Sequence, residues 1–221
     1  MEHNAGLRRI LGKALFYRLF QTLVGADFAA RWLTKNLWKV EEGMTVVDVG
    51  CGPARLRNLF PKNINYFGFD PNESYIQTAR QTATGEFFVG VMPDFLREMP
   101  SLSGKVDLVI CSGVLHHLTV GQMSETLSGV RSLLKEGGRF SALEPTWLVS
   151  QDWLSRWVLS QDRGKNIMLD SEWRAEISRF FEYVDIRVAN NLIRIPYIYV
   201  LISSWKRTTQ DIDPDMENPR A

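Results

Sequence analysis

Thr45-Val46-Val47-Asp48-Val49-Gly50-Cys51-Gly52-Pro53-Ala54 decides the fold. Five residues of β-branched and apolar character with one embedded acid predict a buried strand, and the glycines that follow break it into a tight turn. Gly50 and Gly52 let the backbone turn sharply and approach a ligand, and Arg55 to Leu59 are expected to lie in the helix after the turn. Strand, glycine turn and helix together form a nucleoside-binding element. A dinucleotide site needs a third glycine three residues after Gly52, but that position is Arg55, whose side chain would crowd a pyrophosphate. NAD and FAD are therefore disfavoured.

Outward from the turn, short apolar runs alternate with helical stretches. Tyr66 to Asp70, Glu86 to Val89, Val106 to Cys111 and Arg139 to Leu143 predict four more strands. Helices are expected over Glu73 to Gln81 and about Gly121 to Leu134, with Lys135-Glu136-Gly137-Gly138 as a turn. Such alternation implies a parallel sheet covered on both faces. Asp70 ends the second strand twenty residues beyond Gly50, where a carboxylate can accept hydrogen bonds from ribose hydroxyls. It can equally cap the helix that follows.

Both flanks break this rhythm. Residues 5 to 24 carry apolar positions at helical spacing, and a second helix capped by Asp27 is expected to run to about Leu37. Residues 1–40 hold seven basic and two acidic side chains. A basic amphipathic helix can lie on a membrane surface, but the favoured reading is a helical lid over the domain's open edge. After the fifth strand, residues 146–171 form a tryptophan-rich insert interrupted at Gln161-Asp162-Arg163-Gly164. A helix from Glu172 to Phe181 follows, then strands over Tyr183 to Ala189 and Tyr197 to Trp205, joined so closely that they must pair antiparallel. The expected organisation is one domain over 1–206: lid 1–40, core 44–145, insert 146–171, closing helix and strands 172–206. Residues 207–221 are read as a flexible tail.

The totals exclude several classes. The formal net charge of the 221-residue chain is +1, so no global field favours nucleic acid. No apolar run approaches the ~20 residues needed to span a bilayer, and no secretory signal pattern opens the chain. Cys51 and Cys111 each follow a strand-like run, which suits free thiols in a reducing cytoplasm. There is no G-x-S-x-G elbow for hydrolase chemistry. No metal site is expected, because no acid stands at ligand spacing from the His116-His117 pair.

Four motifs in order resemble the class I S-adenosylmethionine-dependent methyltransferases. Val47-Asp48-Val49-Gly50-Cys51-Gly52 looks like the family's D-x-G-x-G loop, and Phe69-Asp70 like its ribose-binding acid. Asp107 to Ser112 followed by Val114-Leu115-His116-His117-Leu118 is similar to its fourth-strand motif, and Leu133 to Arg139 to its turn into strand five. The resemblance runs from about Gly43 to Pro145 and continues, more loosely, through the two closing strands. It implies an α/β Rossmann-like domain with a mostly parallel seven-stranded sheet, the last strand antiparallel, and helices on both faces. It also implies S-adenosylmethionine as cofactor. Asp48, Gly50, Cys51 and Gly52 would face its methionine portion, Asp70 its ribose and the Met92 backbone its adenine, with Cys111 and Ser112 closing the floor near the sulfonium. Two positions depart from the pattern. Ala54 replaces the loop's usual third glycine, and Val91 stands where many relatives carry an adenine-binding aspartate, leaving Asp94 or backbone to serve.

Methyl transfer from a sulfonium depends mainly on positioning, so few catalytic groups are expected. His117 is a candidate base or acceptor-orienting group, unless both histidines merely cap a turn and shape the pocket. Tyr17, Phe20 and Gln21 share one face of the lid helix and could close over an acceptor. Trp147, Trp153 and Trp157 could wall it, with Glu144 or Arg163 orienting a polar end. The expected acceptor is a small, partly apolar organic molecule rather than nucleic acid. Two other readings stay open: aminocarboxypropyl transfer or cyclisation with loss of methylthioadenosine, and a protein that binds the cofactor without catalysis.

Overall fold

The computed structural model describes residues 26–207. The helix expected over 5–24, with Tyr17, Phe20 and Gln21, lies outside the described residues, as does the tail beyond residue 207. Sequence periodicity becomes a two-faced sheet. Five parallel strands, β1 (Thr45–Val49), β2 (Asn65–Asp70), β3 (Glu86–Val89), β4 (Val106–Ser112) and β5 (Leu134–Trp147), are followed by the short β6 (Met168–Leu169) and the antiparallel pair β7 (Tyr183–Ala189) and β8 (Tyr199–Trp205). The order across the sheet is β3-β2-β1-β4-β5-β8-β7, with β6 on the end of β5. β8 runs antiparallel between β5 and β7, from Arg139↔Trp205 to Pro145↔Tyr199 on the β5 side.

Side chains alternate across this sheet with period two. Val47 and Val49 of β1, Phe67 and Phe69 of β2 and Val109 and Cys111 of β4 point to one face. There α3 (Met92–Glu98), α4 (Val120–Leu133) and α6 (Asp170–Ser178) bury Phe95, Leu127 and Trp173 against them. Val46, Tyr66, Leu108 and Ile110 point to the other face, under α1 (Ala26–Leu33), its wider-wound continuation Thr34–Trp38 and α2 (Glu73–Thr82). Helix α2 starts at Asn72, whose Oδ1 accepts from the Ser74 and Tyr75 N–H groups.

Five elements differ from the sequence reading, the first being β6, which makes eight strands where seven are expected. No α-helix follows the glycine turn; a single 3₁₀ turn, Leu56–Leu59, stands there. Pro61 ends it, and the buried Arg57 guanidinium donates instead to the carbonyls of Thr84, Pro61 and Lys62. The expected turn at Lys135 to Gly138 is a bulge inside β5. Val106 pairs with Leu134 and Leu108 already with Arg139, so the extra residues loop out where Gly137 takes a φ of 69°. Helix α3 was unforeseen; Asp94 caps its start by accepting from the Val91 N–H at 3.1 Å. Finally, α5 (Trp153–Ser160) buries Ser155 and Leu159. That face turns Trp153 and Trp157 outward, 78% and 59% exposed, so neither walls a pocket.

Trp173 has no exposed surface and its indole N–H donates to the Pro145 carbonyl at 3.1 Å, joining α6 to the end of β5. Trp173→Ala is expected to cost about 3–5 kcal/mol, read as a lowered midpoint in urea unfolding at unchanged slope.

Candidate active site

The carboxyl ends of β1, β2 and β4 form the floor of the site. At the end of β1 the chain turns through Gly50 at a φ of 65°, and a Cβ there would lie 2.5 Å from a Val114 methyl. Both conformation and space demand glycine. Ala54 also takes a positive φ of 54° despite its Cβ. Asp70 braces the turn: one carboxylate oxygen accepts from the Gly52 N–H at 3.1 Å and the other from Asn72 N–H at 2.8 Å. The helix cap expected of Asp70 is supplied by Asn72 instead, and each Asp70 oxygen keeps a lone pair beyond these bonds.

Gly50 lines two cavities. The first, about 270 Å³, is lined by Gly50, Asp70, Val91, Met92, Gly113, His117 and Thr126, among others. The second, about 320 Å³, is lined by Asp48, Gly50, Cys51, Arg55, Leu56, Tyr75 and Ser112, with Pro53. Leu56 and Ser112 are shared with an apolar recess of about 140 Å³ between Ala29, Leu33, Trp38, Leu143, Leu192 and Ile193. Asp48 is 2% exposed. Its carboxyl accepts from the Tyr66 hydroxyl at 2.5 Å, two strand positions away on the same face. Burial pushes its pKa up to about 7; the Tyr66 hydrogen bond opposes the shift and the neighbouring Asp70 adds to it.

A third feature holds the loop after β4. Glu144 on β5 has no exposed surface. One of its oxygens accepts from the N–H groups of Val114 and Leu115 at 3.0 and 2.9 Å. The other meets the His116 N–H at 3.3 Å and His116 Nδ1 at 2.6 Å. The turn Leu115–His117 therefore sends His116 inward and leaves His117 exposed on the cavity rim. Burial, then the adjacent His116, lowers the His117 pKa from its ordinary value.

The sequence-based candidates divide accordingly. Asp48, Gly50, Cys51, Ser112, Asp70 and Met92 line the paired cavities, and Gly52 stands beside them through its bond to Asp70. Cys111 does not: it is fully buried, its thiol pKa pushed up by burial, with Sγ 4.0 Å from Glu144. His117 lines the first cavity with Asp70 and Met92 and does not line the apolar recess. Glu144 is committed to the loop and cannot orient a substrate. Trp147 and Arg163 line none of these cavities. The Trp147 ring lies under the Arg156 guanidinium at 5.6 Å, while Arg163 is exposed and its neighbour Asp162 pairs elsewhere. Asp94 is engaged in its helix cap. Sequence reasoning missed Thr126, buried on α4, and the recess residues Leu192 and Ile193; an apolar pair in a short strand connection was the signal available for the latter. It also missed that folding brings Asp162 to the His116-His117 pair.

A sequence profile described as "Methyltransferase domain" matches residues 40–189. A magnesium-protoporphyrin O-methyltransferase of Synechocystis sp. is 33% identical over 93 residues, covering 41% of this chain and 40% of that one. An uncharacterized methyltransferase of the same organism is 26% identical over 132 residues, 59% of this chain and 61% of that one. The chain thus matches less than two thirds of the length of either relative. In three dimensions a SAM-dependent methyltransferase from Archaeoglobus fulgidus superposes with a TM-score of 0.67 at 17% identity, over 86% of this chain and 99% of that one.

Asp48 makes stability depend on pH. Its folded pKa of about 7 exceeds the unfolded value of 3.8, so the folded state binds more protons between them. Stability is expected to fall as pH rises through that window, with a penalty of up to roughly 4 kcal/mol complete above it. Asp48→Asn should flatten that part of the profile and be the more stable protein at pH 8, read by urea unfolding across pH.

Proposed function

The chain belongs to the methyltransferase-domain family, and on that premise we propose that it transfers the methyl group of S-adenosylmethionine to a small, partly apolar organic acceptor by in-line displacement. The observation carrying this reading is the pair of cavities that share Gly50 as a wall, with Asp70 lining one and Asp48 the other, and an apolar recess that shares Leu56 and Ser112 with the second. The adenosine half of the cofactor is assigned to the first cavity, with Asp70 accepting from the ribose hydroxyls and the Val91-Met92 backbone beside the base. The methionine half is assigned to the second, over Asp48, Gly50 and Cys51.

Electrostatics supports this assignment. The cofactor is a phosphate-free cation, and no α-helix N-terminus follows the glycine turn to favour an anion. A buried carboxylate at Asp48 is stabilised by positive charge that arrives with the ligand. The acceptor takes the apolar recess under α1, and Ser112 stands where recess and cofactor cavity meet. When bound, the cofactor would supply an electrophilic methyl group: the acceptor's lone pair would form the new bond to carbon as the carbon–sulfur electron pair returns to sulfur. A protic acceptor releases its proton to solvent. His117 forms part of the adenosine wall in this reading. Among the described residues no helix is long and apolar enough to cross a membrane, and a small-molecule acceptor needs no nucleic-acid surface.

S-adenosylmethionine at a hundred times its dissociation constant is expected to raise unfolding stability by roughly 2.7 kcal/mol, with no effect from NAD. Asp70→Asn should weaken cofactor binding about tenfold through loss of charge-assisted hydrogen bonds. Because the cation favours ionised Asp48, affinity should rise with pH through about 7 in the parent protein and less in Asp48→Asn. Product analysis decides the reaction: S-adenosylhomocysteine is expected, and methylthioadenosine as the main product would replace methyl transfer with another bond cleavage.

A further inference from the structure

Around His116 the insert and the loop after β4 build a second polar centre. His116 is 3% exposed, and its Nδ1 is held by Glu144 Oε2 at 2.6 Å. Its other nitrogen, Nε2, faces Asp162 Oδ1 at 3.4 Å. That separation is long for an N–H···O hydrogen bond, whose usual range ends at about 3.2 Å. It matches the edge of a tetrahedral site: two ligands each about 2.1 Å from one ion stand roughly 3.4 Å apart. His117 supplies the third donor. Its ring centroid is 3.9 Å from that of His116, and ligand atoms of His116, His117 and Asp162 all lie within 4.8 Å of one another.

We propose that His116 Nε2, the His117 imidazole and Asp162 Oδ1 form a binding site for one divalent first-row transition ion of the Zn²⁺ type. Two imidazoles and a carboxylate suit such borderline ions better than Mg²⁺ or Ca²⁺, which prefer all-oxygen ligands. The buried His116 and the half-buried Asp162 are both oriented from behind. The carboxyl of Glu144 on His116 Nδ1 is the outer partner that a metal-bound histidine ordinarily has. Asp162 is fixed by the Tyr197 hydroxyl at 2.5 Å and the Gly164 N–H at 2.6 Å. The segment carrying Asp162 is shaped around the imidazole. Lys165 and Asn166 N–H groups both donate to the His116 carbonyl, at 3.0 and 2.9 Å. A Cβ on Gly164 would sit 2.1 Å from His116 Cδ2, so only glycine permits this approach. Bound there, the ion clamps the insert to the cavity wall. Three protein ligands leave a fourth position for water or an oxygen of a bound ligand.

The test uses the full-length protein, stripped with a chelator and titrated with ZnCl₂ by calorimetry, beside His117→Ala and Asp162→Asn. Far-ultraviolet dichroism checks each fold. One Zn²⁺ per chain is expected in the parent protein, at least about tenfold weaker in each variant. Co²⁺ loading should give a visible absorption band that His117→Ala loses; His117 is exposed, so that variant is expected to fold. Two results would overturn the site. One is no uptake by the parent protein, leaving the His116–Asp162 gap to a shared proton. The other is equal affinity in parent and variants, which places the ion on surface groups. Neither readout needs S-adenosylmethionine, so a failed methyl-transfer reading and a failed metal site are told apart.

Discussion

A carboxyl group with no exposed surface must find its partners inside the protein. Glu144 finds them in the backbone N–H groups of Val114, Leu115 and His116 and in the His116 ring. This one group turns the end of β5 into the anchor for the loop after β4. Val114 is thereby held against Gly50, which leaves no room for a side chain in the first turn. His116 is held where Asp162 and the insert close over it, and His117 is placed on the rim of the first cavity. Loop, insert and cavity wall are consequences of a single desolvated acid.

The second buried acid works differently. Asp48 has the Tyr66 hydroxyl as its hydrogen-bond partner, and burial raises its pKa towards neutrality. A fold keeps so poorly compensated a group at some cost in stability, and strongly perturbed groups of this kind cluster at functional sites. Asp70, by contrast, is braced by the N–H groups of Gly52 in the turn and Asn72 at the start of α2, and stays partly exposed. One carboxylate is thus set by desolvation and the other by backbone geometry, on either side of the same glycine turn.

Much of this was legible in residue order. The strand limits Thr45–Val49 and Glu86–Val89 follow from short apolar runs bounded by turn residues, and the antiparallel pairing of the last two strands from their close connection. The missing helix after Gly52 was not legible, because Arg57 leaves the local helix pattern for carbonyls around Thr84 and Pro61. Nor was the outward turn of Trp153 and Trp157, since only packing decides which face of a short amphipathic helix is buried. Glu144 looked like a polar group at a pocket mouth; its partners lie about thirty residues away in sequence.

The sequence by itself determined the alternation of strands and helices, the glycine turn and the acids at the ends of the first two strands. These depend on local conformational preference and on side-chain period, both written in neighbouring residues. Only the tertiary structure decided which distant groups meet: Glu144 with the loop after β4, Asp162 with both His116 and Tyr197, and Leu192 and Ile193 with α1 around the recess. Each meeting joins segments far apart in the chain. It is fixed by the need to satisfy or exclude buried groups once the sheet has brought those segments together.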